Sequence, residues 1–437
     1  MKTYLKSLLF LLLAIASTAK AQDAELTPLD TITANVQKLN SAMTALQKLK
    51  ITGYIQAQYQ IADTLGAKSY AGGDFPAASD NRFMIRRGRI KFTYDSHLTK
   101  YVLQFDVTEK GLAIKDAYLN IQDPYLNAFS LTAGVFNRPF GYEIPYSSSV
   151  RESPERSRFT QTLFPGERDL GAMLTFQMPK TSPLNFLKID AGFFSGNGTN
   201  PEFDTKKDFI GHIGIAKATK TEKVKYGLGF SYYNGGVYQG KLLTGLAAQT
   251  YELKTIGDTV SFAKISGDSI VGSFHKRSYF GVDAQLTLET PLGFTTLRGE
   301  YVAGKQPGTD KSTTSPTNII PSSNTYLRNI SGMYVYFVQS VTGTKLSVVA
   351  KYDIYDPNTG ISGNQIGLKS KTGKTNASTA GDLKYNTLGL GLIYAYTPNV
   401  KFTAYYDMVK NETSKNLKGY TSDLPDNVLT LRLQYKF

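Results

Sequence analysis

From Ile51 to Phe437 apolar and polar residues alternate with a period of two, which is typical of β-strands with one apolar and one polar face. Sixteen segments of about eight to ten residues fit this pattern. The last segment, 428–437, is the clearest because from Leu429 onward its apolar residues have odd numbers and its polar residues even numbers. This parity places Arg432 and Lys436 on the polar face.

The first fifty residues follow other patterns. Residues 1–21 have two lysines, an apolar run and an Ala19-Lys20-Ala21 site, which predict a cleaved signal peptide. Segment 22–50 predicts a helix because its apolar residues recur three and four positions apart. This spacing suits a short periplasmic coiled coil if a trimer holds three copies together, and it suits equally a single helix packed on the periplasmic rim. The apolar residues of that segment are Leu29, Ile32, Val36, Leu39, Met43 and Leu46.

Alternation alone would also fit a soluble β-sandwich. The export signal, the even number of strands, the 29 Tyr and 24 Phe and the amphipathic final strand favour a membrane barrel instead. We therefore predict an all-β fold, a 16-stranded antiparallel transmembrane β-barrel over 51–437, in the bacterial outer membrane. Segments 51–60 and 428–437 should pair to close it.

The connections fall into short and long classes, and barrels of this kind have short periplasmic turns and long external loops. With a periplasmic N-terminus, the connection 137–169 is the third external loop. It contains five arginines and five acidic residues.

Charge and composition narrow the function. The formal net charge is +14, or +11 without the three lysines of the leader, so we expect an anionic partner. Nucleic acid is not expected outside the cell, which leaves small anions and the phosphates of outer-membrane lipid. The chain has no Cys and only three scattered His, so we expect no metal, no cofactor and no enzymatic His-dependent nucleophile.

Four segments occur in an order that resembles the phosphate-selective porins O and P. They are Arg82-Phe-Met-Ile-Arg-Arg-Gly-Arg-Ile90, Lys115-Asp-Ala-Tyr-Leu119, Gly134-Val-Phe-Asn-Arg-Pro-Phe-Gly141 and Arg168-Asp-Leu-Gly171. The resemblance implies a trimeric 16-stranded pore whose third external loop folds inward as a constriction. It also implies a lumen lined by Arg and Lys, with a basic pore residue at Arg138 and an acidic one at Asp116.

Parity in the second strand turns three basic residues into the lumen, whereas it points Arg86 outward unless a bulge intervenes. Together with the loop arginines, they form the predicted anion pathway of a passive channel for small anions of the phosphate type. The predicted pore-lining residues are Arg87, Arg89, Lys91, Asp116, Arg138, Arg151, Arg156, Arg158 and Arg168.

Three alternatives stay open at this point. The loop arginines would pair with the acids of their own loop and stiffen the barrel. The channel would then be a general diffusion porin with little preference for phosphate. The barrel could also serve as a structural or surface-binding protein that uses its long loops.

Overall fold

The computed structural model describes residues 28–242, 244–245, 248–256, 259–265, 271–315, 323–368 and 375–437. The predicted signal peptide 1–21 and the start of the 22–50 segment lie outside these residues. Helix α1, Pro28–Gln47, occupies most of that segment. Four apolar side chains of its predicted seam, Ile32, Val36, Leu39 and Met43, are exposed. Within the described ranges, no helix is long and apolar enough to cross a membrane.

The period-two pattern folds into sixteen long strands, as predicted. They are β1 Leu49–Ala62, β2 Asn81–Ser96, β3 Thr99–Thr108, β4 Gly111–Gln122, β5 Phe129–Asn137, β6 Arg168–Gln177, β7 Leu187–Phe194, β8 Asp208–Ala218, β9 Val224–Tyr238, β10 Phe274–Thr290, β11 Gly293–Gly308, β12 Thr325–Ser340, β13 Leu346–Asp356, β14 Tyr385–Ala395, β15 Val400–Asn411 and β16 Val428–Lys436.

Each strand pairs with its neighbours in sequence, and β1 pairs antiparallel with β16 from Tyr54↔Lys436 to Ala62↔Val428. The predicted pairing of the two chain ends is therefore confirmed, and the sixteen strands form a closed antiparallel barrel. Closure gives each strand a hydrogen-bonded neighbour on both sides, which satisfies the backbone N–H and C=O groups of the paired ranges.

Short elements extend the long connections. The hairpin Thr250–Ile256 and Thr259–Lys264 pairs with the start of β12 and with the two-residue strand Thr375–Asn376. Helix α2, Arg158–Leu163, lies in the connection between β5 and β6. Two 3₁₀ turns, Gly363–Gln365 and Ala380–Asp382, follow β13.

The outer face of the barrel is apolar and its inner face is polar. In β16, Leu431 and Leu433 are each 45% exposed, whereas Arg432 between them is 6% exposed. The main buried apolar cluster forms inside the barrel, where aromatic side chains of the β5–β6 connection pack on inward-facing strand residues. Its largest members include Phe140, Phe159, Phe164, Tyr233, Tyr279 and Tyr334.

Two irregularities change which side chains face inward. In β2, Phe83 and Ile90 are both exposed on the outer face. They are an odd number of residues apart, so in a regular strand they would lie on opposite faces. The phase changes between Arg86 and Arg87, so both arginines point inward, as at a β-bulge. The simple parity expectation that Arg86 points outward is wrong for this reason.

The second irregularity lies in β4. Pairing with β3 runs Gln104↔Asp116 and then Phe105↔Ile114, so Lys115 is an extra residue. Lys115 and Asp116 are consequently both turned away from the outer face, where Ile114 is exposed.

Candidate functional site

The connection between β5 and β6, residues 138–167, lies inside the barrel and is called the inner loop below. Its first anchor is on β9 and β11. The N–H of Gly141 donates to Ser231 Oγ at 2.8 Å, and the N–H groups of Tyr142 and Glu143 both donate to Glu300 Oε2 at 3.1 Å. Gly141 has a φ of +62°, a conformation that glycine adopts without strain.

The middle of the inner loop is held by strands on another part of the ring. Tyr54 OH lies 2.6 Å from Ser148 Oγ, and the Gln56 amide donates to the Ser148 carbonyl at 2.9 Å. Gln434 of β16 donates to the Ser149 carbonyl, also at 2.9 Å. Because β1 and β16 lie several strands away from β9 and β11, the loop crosses the interior between them.

Glu155 is the most strongly held carboxylate of the inner loop. Arg86 reaches its two oxygens at 2.8 Å each, Arg87 at 2.8 Å and Arg432 at 3.1 Å. Burial alone would raise the pKa of the Glu155 carboxyl, but the three guanidinium groups outweigh burial and hold the pKa well below its ordinary value. Glu155 is therefore ionised and serves as a charged latch.

Glu143 organises the helix of the inner loop. It accepts hydrogen bonds from the Ser157 N–H at 3.0 Å and from the Thr160 hydroxyl at 2.7 Å, at the start of α2. Burial opposes its ionisation, but Lys351 and Arg151 prevail and lower the pKa of the Glu143 carboxyl. Glu143 thus fixes the start of α2 through the Ser157 N–H and the hydroxyls of Ser157 and Thr160.

Most of the predicted pore arginines have carboxylate partners in the structure. Arg138 donates to Asp169 at 3.0 Å, and Arg168 donates to Asp116, also at 3.0 Å. The other ion pairs are Arg87 with Glu155, Arg89 with Asp106, Arg156 with Glu167 and Arg168 with Glu167. Arg138, Arg156 and Arg168 thus contact acids of their own loop, as the pairing alternative expects, and each of them has a carboxylate partner.

Two predicted arginines have no carboxylate within ion-pair distance among the described residues. Arg151 donates to the carbonyls of Ser153 at 3.3 Å and Pro154 at 2.9 Å, which folds its side chain back on its own loop. The Arg158 guanidinium lies between the rings of Tyr70 and Tyr385, at 4.3 and 3.8 Å from their centroids. It is stabilised by cation–π contacts on both faces.

A cavity of about 370 Å³ lies beside the inner loop and brings several predicted residues together. Its lining has five cationic side chains and one carboxylate, that of Asp116. The cationic residues are Arg89, Lys91, Arg156, Arg168 and Lys436. In the described ranges, Lys91 has neither an ion pair nor a side-chain hydrogen bond, so its ammonium group remains available to a solute.

Sequence reasoning missed two groups of residues that hold the inner loop. Ser148 and Ser149 are not among the predicted residues, yet the backbone carbonyls of both accept hydrogen bonds from the β1–β16 wall. Glu300 was not singled out, although its even-numbered position in β11 has the same parity as the inward-facing Arg298. Its inward parity marks Glu300 as a carboxylate inside the barrel, where it could bind the backbone N–H groups of a glycine turn.

No group of three or more potential metal ligands occurs in the described part of the chain. His212 contacts Asp283 at 3.2 Å, and His275 lies 2.7 Å from the Thr250 hydroxyl.

Comparison with known proteins places the fold in a class. No protein-family model and no curated protein sequence matches this chain. Among solved structures, the outer membrane channel DcaP of Acinetobacter baumannii is 12% identical, with a TM-score of 0.51 over 89% of this chain and 97% of its own. An anion-selective porin from Comamonas acidovorans is 11% identical, with a TM-score of 0.50 over 89% and 99%.

Pseudomonas putida OprB is 10% identical, with a TM-score of 0.54 over 92% and 97% of the two chains. The barrel thus has the fold of outer-membrane porins. At these identities the likeness concerns the fold alone, and the resemblance to the phosphate-selective porins O and P stays a prediction.

Proposed function

We propose that this chain is a passive outer-membrane channel for small anionic solutes, of which phosphate-type anions are the expected class. The observation that carries this proposal is the cavity with five cationic side chains and one carboxylate beside the inner loop. In this proposal the inner loop is the constriction, the mature chain follows cleavage of the 1–21 leader, and three copies assemble in the membrane.

Lys91 and Lys436, which have no carboxylate partner among the described residues, supply the attraction in this mechanism. A permeating ion needs several weak sites rather than one tight site, because it must leave as readily as it enters. Lys91 and Lys436 are mobile point charges on the wall of the same cavity, whereas Arg168 beside them is fixed to Asp116. The paired arginines therefore shape the pathway while the lysines concentrate anions in it.

The pairing of the arginines also favours a second candidate, a general diffusion porin with little preference for phosphate. In that case the charge balance around Glu155 and Asp116 leaves only weak selectivity. The two candidates differ in how strongly phosphate competes with chloride for the pathway.

The decisive experiment is the reversal potential of the purified protein in planar bilayers with asymmetric KCl. We expect chloride to be favoured and added phosphate to reduce the chloride current. Replacing both lysines, as Lys91→Gln with Lys436→Gln, should lower the anion preference by about fivefold per charge, since one nearby charge is worth about 1 kcal/mol in water. Lys220→Gln, an exposed lysine in a turn, is the matched control.

A channel that favours cations would exclude the anion proposal and leave the barrel assignment intact. The absence of any channel activity would exclude both candidates. An anion-selective channel in which phosphate does not reduce the chloride current would favour the general diffusion porin.

A further inference from the structure

A second cavity inside the barrel has a lining that an inorganic-anion channel does not require. It has a volume of about 490 Å³ and is called the aromatic chamber here. Besides charged residues, its wall contains Tyr118, Phe136, Tyr142 and Met173. Apolar and aromatic groups contribute nothing to holding a hydrated inorganic ion, whereas they are the usual lining of sites for organic molecules of this size.

Strand register arranges one wall of the chamber in three successive levels. The first level contains Lys91, its register partner Gln104 and the partner of Gln104 on β4, Asp116. Tyr118 lies two residues further along β4, in the second. In the third, Asn120 is flanked by Lys100 and Thr132. Levels on one face of a strand are about 7 Å apart, so the wall offers a cation, a ring and amides over roughly 13 Å.

The backbone opposite Tyr118 is adapted to its side chain. Gly134 pairs with Tyr118 and has a φ of +125°. A Cβ at this position would lie 2.2 Å from the Ala117 carbonyl oxygen and 3.1 Å from Tyr118 Cβ, so only glycine fits. The rings of Phe136 and Tyr118 form a T-shaped pair with a centroid distance of 5.9 Å. The ring is therefore positioned rather than free.

Polar groups in the chamber lack partners that a ligand would supply. Asn137 Oδ1 is buried without a hydrogen bond, and its residue lines both the aromatic chamber and the basic cavity. The Asn120 amide donates to the Thr132 hydroxyl at 2.9 Å, which leaves its own oxygen as an acceptor. Lys91 lines both spaces as well. A ligand with hydroxyl donors for the two amide oxygens and one anionic group for Lys91 would supply the missing partners.

We infer that the aromatic chamber binds hydroxylated organic oxyanions of the size of a six-carbon sugar phosphate or sugar acid. The inference rests on the proposed channel function and narrows its solute class. Lys91 attracts the anionic group, Tyr118 packs on the apolar face of the sugar ring, and the Asn120 and Asn137 oxygens accept its hydroxyls. Inorganic phosphate has no apolar ring face for Tyr118 to contact.

The test uses the full-length protein in planar bilayers, with glucose 6-phosphate, glucuronate, glucose and inorganic phosphate added separately to a KCl bath. We expect glucose 6-phosphate to interrupt the current at concentrations at least tenfold below those needed for phosphate or glucose. Interruption by glucuronate as well would support the shared oxyanion chemistry, whereas interruption by glucose 6-phosphate alone would support a phosphate ester.

Variants separate the chamber from the pathway as a whole. Tyr118→Leu should raise the blocking concentration of glucose 6-phosphate about tenfold, and Tyr118→Phe should retain most of the block because the ring remains. Tyr125→Leu, which changes a tyrosine that is 90% exposed, is the control. If Tyr118→Leu does not assemble, Asn120→Leu tests the same wall from its third level.

The inference is overturned if a conducting, anion-selective channel is blocked by glucose 6-phosphate and by phosphate at equal concentrations. It is also overturned if glucose 6-phosphate blocks Tyr118→Leu and Asn120→Leu at the same concentration as the parent protein. Failure of the channel proposal is recognised before any solute is added, because the protein would then show no conductance in KCl or a conductance that favours cations.

Discussion

Gly141 lies directly against the carboxylate of Glu300, so close that a Cβ atom at residue 141 would be 1.8 Å from Glu300 Oε1. The next two N–H groups of the chain donate to the same carboxylate. This contact lets the inner loop dock on β11, because a glycine with positive φ brings consecutive N–H groups onto one buried acid. The contact explains why the Asn-Arg-Pro-Phe-Gly segment ends in glycine.

Gly141→Ala should detach this end of the inner loop. The left-handed conformation alone costs a residue with a side chain about 1–2 kcal/mol, and displacing Glu300 adds to that cost. We expect faster protease cleavage within 138–167 and a lower midpoint of urea unfolding. Gly419→Ala is the control, since Gly419 has a φ of +85° with no atom near its missing Cβ. Equal effects of the two variants would refute the role of the Glu300 contact.

Glu155→Gln should release the other side of the inner loop. Removing one partner of a buried ion pair typically costs about 3–5 kcal/mol, and here Arg86, Arg87 and Arg432 would all lose their shared carboxylate. We expect larger and noisier single-channel currents and a stronger anion preference. Glu152→Gln, which removes a carboxylate held by one arginine, Arg298, among the described ion pairs, should have a smaller effect on both quantities. Unchanged currents in Glu155→Gln would show that the latch does not hold the loop.

The latch also predicts the pH range in which the channel changes. Three inner-loop carboxyls, those of Glu143, Glu155 and Glu167, have pKa values below the ordinary 4.5, because nearby cations outweigh the burial that would raise them. A depressed folded pKa gives stability that is present above the ordinary value and is lost as the pH falls through the folded pKa. The part of the conductance change that these three carboxyls cause should thus occur only below about pH 4.5. An unchanged conductance below about pH 4.5 would contradict this account.

The strands could be predicted because the period-two pattern follows from the geometry of a closed barrel. One face meets an apolar environment and the other a polar one, so each side chain is assigned by parity. β16 shows this well, since Arg432 is buried on the inner face as its parity requires. Parity fails where a residue is inserted, which explains why the inward position of Arg86 and the extra residue Lys115 could not be derived from spacing.

The site was less accessible to sequence analysis because its electrostatics depend on pairings made through space. Arg138 and Arg158 look alike in the sequence of the inner loop. The structure pairs Arg138 with Asp169 and places Arg158 between two tyrosine rings, one of them from β14. The residue identities indicate a basic pathway, but only the path of the loop decides which charges are balanced.

The aromatic contacts of Arg158 allow the free energy of its cation–π contacts to be measured apart from the other effects of its charge. Arg158 is 9% exposed and its Nε atom has no hydrogen-bond partner, so the Tyr70 and Tyr385 rings carry much of its stabilisation. A double-mutant cycle with Arg158→Met and Tyr385→Leu should give a coupling free energy of about 1–2 kcal/mol, as expected for a desolvated pair. The measurement is the urea unfolding midpoint of the two single variants, the double variant and the parent.

An exposed pair of the same kind supplies the comparison for that cycle. Lys345 lies 5.7 Å from the centroid of Tyr396, which is 54% exposed, so the coupling of Lys345→Met with Tyr396→Leu should be smaller, about 0.5 kcal/mol. Equal couplings in the two cycles would mean that burial adds nothing to the Arg158 contact. Additive effects of Arg158→Met and Tyr385→Leu would instead assign the stacking no energetic role.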